Sequence, residues 1–327
     1  MVSMMKAAMR FAIPILMAGL FVSVADAQQQ QSPTKATELM GMKDVKNNTN
    51  GRLAVDSVNL RFSHSGSSAD LAATSMQDVI TGSDSQRVIR GTLGTLSMFG
   101  PYGSDRFLSL FRSKLDTLTI QYRDADGGLH GVIFTMPVGS ADVTKNALVE
   151  LGARTSIPKQ IDPTADASSA PGAKESTAPA EEPRGKKINA SAITVMMIQS
   201  DEIKLPAEFQ VALYENLVQQ LQKKSGFHHI YREGDRNSAD TPNLIVLHST
   251  VRGFKKGSEM ARQVTTVAGA TSISVHCEFM DKDGHPLLAR DIKGKVRFLG
   301  GNLRATNDFA KKAAGVTRDN FSPVAGS

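Results

Sequence analysis

Tryptophan is absent from the 327 residues, and phenylalanine and tyrosine bring the aromatic share to just 6%. A surface that stacks bases on aromatic rings is hard to build from so few, so no nucleic-acid partner is expected. Cysteine occurs once, as Cys277. One thiol excludes an internal disulfide and any zinc site made of several cysteines. No G-x-S-x-G elbow and no Walker-type loop occurs either, which removes the commonest signatures of hydrolases and nucleotide-binding enzymes.

The clearest positive feature is the amino terminus. Met1 to Arg10 carries Lys6 and Arg10 and no acid, Phe11 to Val24 is apolar, and Ala25-Asp26-Ala27 closes the run. A basic start, an apolar stretch and an A-x-A site are the grammar of a secretory leader. The apolar run is shorter than the roughly 20 residues a membrane-spanning helix needs. Export with cleavage after Ala27 is therefore expected, to the periplasm or beyond, with no transmembrane helix in the mature chain. A lipid-anchored envelope protein would begin with cysteine at that point; Gln28 stands there instead, so a lipid anchor is not expected.

Hydrophobic residues make up 40% of the chain, enough for real cores, and the length after cleavage suits two domains. The net charge of +6 is unevenly placed. Residues 36–156 balance twelve basic against twelve acidic side chains, whereas residues 186–327 hold twenty against fourteen. An anionic partner, lipid or polymer, would therefore meet the second half.

Residues 28–50 are mostly polar and read as a flexible lead-in. A first unit spans 51–155. Leu53 to Phe62 alternates apolar and polar with one slip, a strand pattern. Asp70 to Ile80 contains a further strand, and Val88 to Leu93 a weaker one. Thr117 to Tyr122 and Leu129 to Phe134 flank Asp124-Ala125-Asp126-Gly127-Gly128, an acidic double-glycine hairpin turn. A helix follows, with Ser140 as N-cap, Asp142 in the first turn, Val143, Ala147, Leu148 and Leu151 on its inner face, and Gly152 at its end. A strand array closed by one carboxy-terminal helix resembles the pleckstrin-homology-like barrel, in its short GRAM-type and bacterial versions. The resemblance implies a seven-stranded barrel plugged by the helix, and often a lipid head group or peptide as ligand.

Residues 156–187 scatter five prolines among Ala, Ser, Thr and Glu. Such a stretch buries too little surface to offset its chain entropy and reads as a tether between units that move independently. A second unit spans 188–321, with 322–327 as a tail. Ile193 to Ile198 is a buried-type strand. Pro206 opens a helix with Phe209, Leu213, Leu217 and Leu221 on one face, Lys223 and Lys224 in the last turn and Gly226 at its end. Phe227 to Tyr231, Leu244 to Val251, Thr271 to Phe279 and Leu287 to Val296 are strands, and a last helix runs from Asn302 to Phe321 with Phe309, Ala313 and Val316 inward. Gly253 to Arg262, the Thr271–Phe279 strand, Asp281-Lys282-Asp283-Gly284 and Gly300-Gly301-Asn302 together resemble the domain of unknown function 4410 family. That resemblance implies an envelope protein with an α/β sandwich and mixed sheet, and brings no catalytic residue with it.

Candidate chemistry is sparse. His228 and His229 are neighbours at a strand start and point to opposite faces, a poor arrangement for one metal. Asp281-x-Asp283-Gly284 echoes the opening of a calcium loop, but no closing Glu follows, and turn chemistry accounts for both acids. Gly91, Gly94, Gly100 and Gly103 lack the Lys-Ser/Thr order of a phosphate loop and read as a mobile loop. Cys277 falls on the apolar face of its strand and reads as a buried, inert thiol. Lys255, Lys256 and Arg262, in a Gly-flanked connection, are candidates for contact with an anionic surface. Fold class is thus expected to be α+β. The expected function is an exported, non-enzymatic envelope binding or adaptor protein, with no cofactor, metal or catalytic residue assigned. The alternative is an exported hydrolase whose site is assembled from scattered residues.

Overall fold

The structure is a computed structural model that describes residues 32–84, 115–156, 187–200, 203, 205–255, 271–296 and 307–324. Its class is α+β: fourteen described strands in three sheets, with three described helices. The Val88–Leu93 strand, the glycines of the 91–103 loop and most of the proline-rich stretch lie outside the described residues.

The first lobe is one seven-stranded sheet in the order β4-β3-β2-β1-β7-β6-β5. Its strands are β1 (Thr34–Met40), β2 (Thr49–Val55), β3 (Asn59–His64), β4 (Ser67–Ala72), β5 (Met76–Thr81), β6 (Leu115–Arg123) and β7 (Leu129–Pro137). The described pairings run antiparallel, and β4 and β5 are terminal strands, so the barrel expected from the sequence is not closed. Two expectations need correction. The lead-in holds β1, which occupies the middle of the sheet, because Leu39, Met40, Met42 and Val45 are all buried. The long Leu53–Phe62 strand is a hairpin, and the slip in its alternation is the turn. Asp56 makes that turn by accepting from the backbone N–H groups of Val58 (3.1 Å) and Asn59 (2.9 Å).

The hairpin between β6 and β7 falls where the double glycine places it, with Gly127 at φ +89°. The helix α1 (Ser140–Glu150) then covers the core of Leu60, Phe62, Met76, Leu118, Ile120, Val132 and Phe134. Its cap differs from expectation. Gly139 is the N-cap, Ser140 is the first helical residue, and Val143 is 55% exposed. Lys145 takes the buried side instead, because its Nζ reaches Asp84 Oδ2 at 2.7 Å. Gly152, at φ +96°, ends the helix as expected.

The second lobe is a mixed five-stranded sheet in the order β10-β9-β11-β12-β13. It comprises β9 (Ala192–Val195), β10 (His229–Arg232), β11 (Leu244–Lys255), β12 (Thr271–Asp281) and β13 (Pro286–Val296). β9 lies parallel to β10 and β11, and β11-β12-β13 form an antiparallel meander. Two helices, α2 (Ala207–Lys224) and α3 (Asn307–Asn320), pack with it around Val195, Leu213, Leu217, Leu247, Val275, Cys277, Phe279 and Phe309. Cys277 is fully buried as expected, and burial pushes its thiol up to about 12. The last helix stops one residue earlier than expected. Phe321 instead begins β14 (Phe321–Pro323), which pairs with β8 (Ile188–Ala190) and ties the carboxy-terminal segment to the start of the lobe.

Close approach of α3 to β13 depends on Gly294. A Cβ there would lie 2.7 Å from Phe309 Cβ and 3.0 Å from the backbone N and Cα of the same residue. Backbone cannot yield as a flexible side chain can. Gly294→Ala should therefore lower the urea midpoint by the equivalent of about 1–3 kcal/mol; an unchanged midpoint would refute the contact.

Candidate functional site

The densest cluster of buried ionisable groups lies where the two lobes meet. It is assembled from the β6–β7 hairpin, the helix α2 and the strand β10. Helix α2 presents Phe209, Leu213, Leu217 and Leu221 to its own lobe, as its spacing predicts. Its opposite side is buried too: Val211 and Ala212 join Leu39, Met40 and Ile133 in an apolar cluster shared with the first lobe. Gly131 makes room for this contact, since a Cβ at that position would meet Val211 Cγ1 at 2.4 Å.

At the centre is Glu215. Its Oε1 accepts from the Gly131 backbone N–H at 2.8 Å and from Arg232 Nη1 at 2.8 Å, and its Oε2 accepts from Arg232 Nη2 at 2.8 Å. This is the fork geometry that suits guanidinium to carboxylate. Arg232 Nη1 also donates to the Leu129 carbonyl at 3.1 Å, and the Tyr214 hydroxyl lies 3.2 Å from the same oxygen. The guanidinium sits 5.6 Å from the Tyr214 ring centroid. Burial works against the charge on Arg232, but the Glu215 carboxylate outweighs it and holds the guanidinium protonated. Backbone bonds extend the joint: Leu129 N–H donates to Glu233 O (2.9 Å) and Arg236 N–H to Asp126 O (2.9 Å).

A second pair flanks this centre. His130 Nε2 lies 2.8 Å from Asp124 Oδ2, and the imidazole stacks on Tyr122 with centroids 5.1 Å apart. Burial, then the nearby Arg232 charge, push the His130 pKa down, so the ring is neutral at pH 7. Asp124 sits below the usual carboxylate range. Burial opposes that shift, but the bonds from His130 and from the Gly128 and Asp126 N–H groups outweigh it. A carboxylate–histidine pair can serve as the base of a hydrolase. No hydroxyl or thiol of the described residues hydrogen-bonds to this imidazole.

The residues singled out in the sequence lie elsewhere. Lys255 ends β11, where its backbone pairs with Ser272, and its side chain, Lys256 and Arg262 lie outside the described residues. Asp281, Asp283 and His285 bring one ligand atom each within 4.8 Å of one another in the β12–β13 turn. Turn bonds occupy Asp281: Oδ1 accepts from the N–H groups of Asp283 (2.9 Å) and His285 (2.8 Å), while His285 Nδ1 lies 3.0 Å from Oδ2. Those bonds, the His285 N–H foremost, hold the Asp281 carboxyl below its ordinary range. His229 is exposed and stacks on Tyr231. An open recess of about 470 Å3 at the β3–β4 end is lined by Arg52, His64, Ser65 and Ser67 among others.

No protein-family model matches the chain, and no curated protein matches it. Three solved structures show a distant likeness. A PelC dodecamer from Paraburkholderia phytofirmans is 13% identical, spanning 41% of this chain and 92% of its own, with a TM-score of 0.27. A Caulobacter crescentus structure described as a lipoprotein is 16% identical over 38% of this chain and 82% of its own, with a TM-score of 0.20. A Helicobacter pylori homolog of the neuraminyllactose-binding hemagglutinin is 12% identical over 42% and 89%, with a TM-score of 0.21.

Removing one partner of the central pair should be far worse than removing both. Arg232→Met leaves the Glu215 charge buried and should cost about 3–5 kcal/mol in urea unfolding, whereas Arg232→Met with Glu215→Leu should recover most of that loss. A double variant as unstable as the single one would show that the charge is not what the interface must neutralise.

Proposed function

We propose that the protein is an exported, non-enzymatic binding or adaptor component of the bacterial cell envelope. Its first lobe would be of the pleckstrin-homology-like kind and its second of the 4410 kind. The observation that carries this reading is the use made of the buried ionic centre. Glu215, Arg232 and Tyr214 are spent on bonds that fasten one sheet to the other. A chain built in this way holds two β surfaces in a defined relation when docked, which is what joining two envelope components requires. The leader supplies the destination, and no helix of the described residues is long and apolar enough to cross a membrane. An envelope protein or an anionic lipid or polymer is the partner class that suits the basic second half.

One observation favours the alternative, an exported hydrolase: the neutral His130 paired with Asp124. An ester-hydrolysis assay on the mature chain separates the two readings. Turnover that disappears in Asp124→Asn would overturn the adaptor.

The adaptor reading makes two expectations. Osmotic shock should release a chain whose amino-terminal residue is Gln28; retention of the full-length chain in the cytoplasm would end the export reading. Lys255→Glu, Lys256→Glu and Arg262→Glu together should abolish co-sedimentation of the mature protein with anionic vesicles, and unchanged sedimentation would remove those residues from the contact.

A further inference from the structure

Glu38 lies on β1, three residues before the corner at Gly41, and its side chain is fully buried. Its Oε1 accepts from the Met42 N–H at 3.2 Å, while Oε2 is buried with no hydrogen-bond partner among the described residues. A β-bulge falls between Glu38 and Met40. That bulge leads directly into Leu39 and Met40, which belong to the apolar cluster joining the lobes. The corner itself touches the joint. A Cβ on Gly41 would lie 1.8 Å from the Gly131 carbonyl oxygen, and the Gly131 N–H is the one held by Glu215.

We propose that Glu38 is a proton-operated latch between the lobes: protonated, it lets them stay docked, and ionised, it releases them. The titratable groups that act on it directly are Glu215 on α2 and Tyr122 on β6, and these two are in turn surrounded by His130 on β7, Asp124 in the adjoining turn and Arg232 on β10. The one permanent cation among them, Arg232, is already forked onto Glu215. Ionised Glu38 therefore adds a second negative charge near Glu215 without a counter-charge of its own. Opening the joint would admit water to the Gly41–Met42 corner and relieve both the desolvation and the repulsion.

The sign follows from linkage. Burial first, and then Glu215, raise Glu38 from the ordinary 4.5 to about 7, against the Met42 N–H, which lowers it. The docked state thus binds this proton more tightly than the open state. Docking is fully favoured below the open-state value, weakens as pH rises toward 7, and levels off above it.

Hydrogen exchange on the intact mature chain, corrected for intrinsic rates, tests the latch. Protection of the Leu129 and Gly131 amides should fall by roughly 10- to 300-fold between about pH 5 and pH 8, the span set by the shift. The β2–β3 amides inside the first lobe should keep their protection. Glu38→Gln should hold both sets flat, and Glu38→Leu serves if the glutamine variant fails to fold. A fall of the same size in both variants would overturn the proposal. So would loss of β2–β3 protection together with the joint, which would make Glu38 a determinant of lobe stability instead.

Discussion

Everything in the arrangement of this molecule turns on one buried carboxylate. Glu215 leaves water in order to accept a backbone N–H from one lobe and both arms of an arginine from the other. Taking these ions out of water costs several kcal/mol per ion, and the attraction between them roughly repays it. Apolar contact among Leu39, Met40, Ile133, Val211 and Ala212 supplies the drive to dock. What the ion pair adds is register. A lobe displaced by one residue would strand the Gly131 N–H and the Leu129 carbonyl, the two first-lobe groups that the pair satisfies, whereas apolar groups tolerate sliding. The single N–H of Gly131 accordingly fixes where β7 lies along α2.

That register depends on close approaches to glycine backbone. Across the joint, Gly131 against the Val211 side chain and Gly127 against the Gly234 carbonyl oxygen leave no space for a methyl group, and within the first lobe neither does Gly41 against Gly131. Helix α2 is the shared element, since residues on nearly all its sides are buried, including Glu208, Glu215, Asn216 and Gln220. Helices buried all round are usually apolar all round. This one carries Glu215 because two of its neighbours, the Gly131 N–H and Arg232, are themselves polar, and Asn216 returns its amide to the helix's own Ala212 carbonyl.

The order of elements was largely readable from periodicity, and the misreadings have physical reasons. Asp56 turned an apparent long strand into a hairpin, because its Asx turn is so short that it shows in the sequence as a single slip in the alternation. β1 looked like a lead-in, because a central strand with Thr37 and the fully buried Glu38 breaks the expected pattern of apolar residues. The expected independence of the two units rested on the proline-rich composition of 156–187 alone. Composition between two units says nothing of whether their surfaces fit. A signal was nonetheless present. In β7, Val132 and Phe134 face the core of the first lobe while Ile133 points the other way and is also fully buried. A strand apolar on both faces announces a cover on each. Val211 and Ala212, off the Phe209–Leu213–Leu217 row of α2, carry the matching message. Glu215 gave none, because a lone Glu on a helix reads as a solvated face.

Placing a charge-sensitive group at such a joint is effective because the lobes share one chain. Two surfaces joined by a linker of tens of residues meet at an effective concentration on the order of millimolar. Docking then needs an intrinsic free energy of only about 4 kcal/mol to hold closed half the time. Raising Glu38 to about 7 represents a penalty on the order of 3 kcal/mol when the group is forced to ionise in place. The two quantities are of similar size. Between two untethered proteins of nanomolar affinity the same penalty would leave the complex intact; across a covalently linked joint of modest strength it is enough to move the balance. A sparse apolar cluster, a register-setting ion pair and one uncompensated carboxyl therefore make a junction that is specific in geometry yet adjustable in strength.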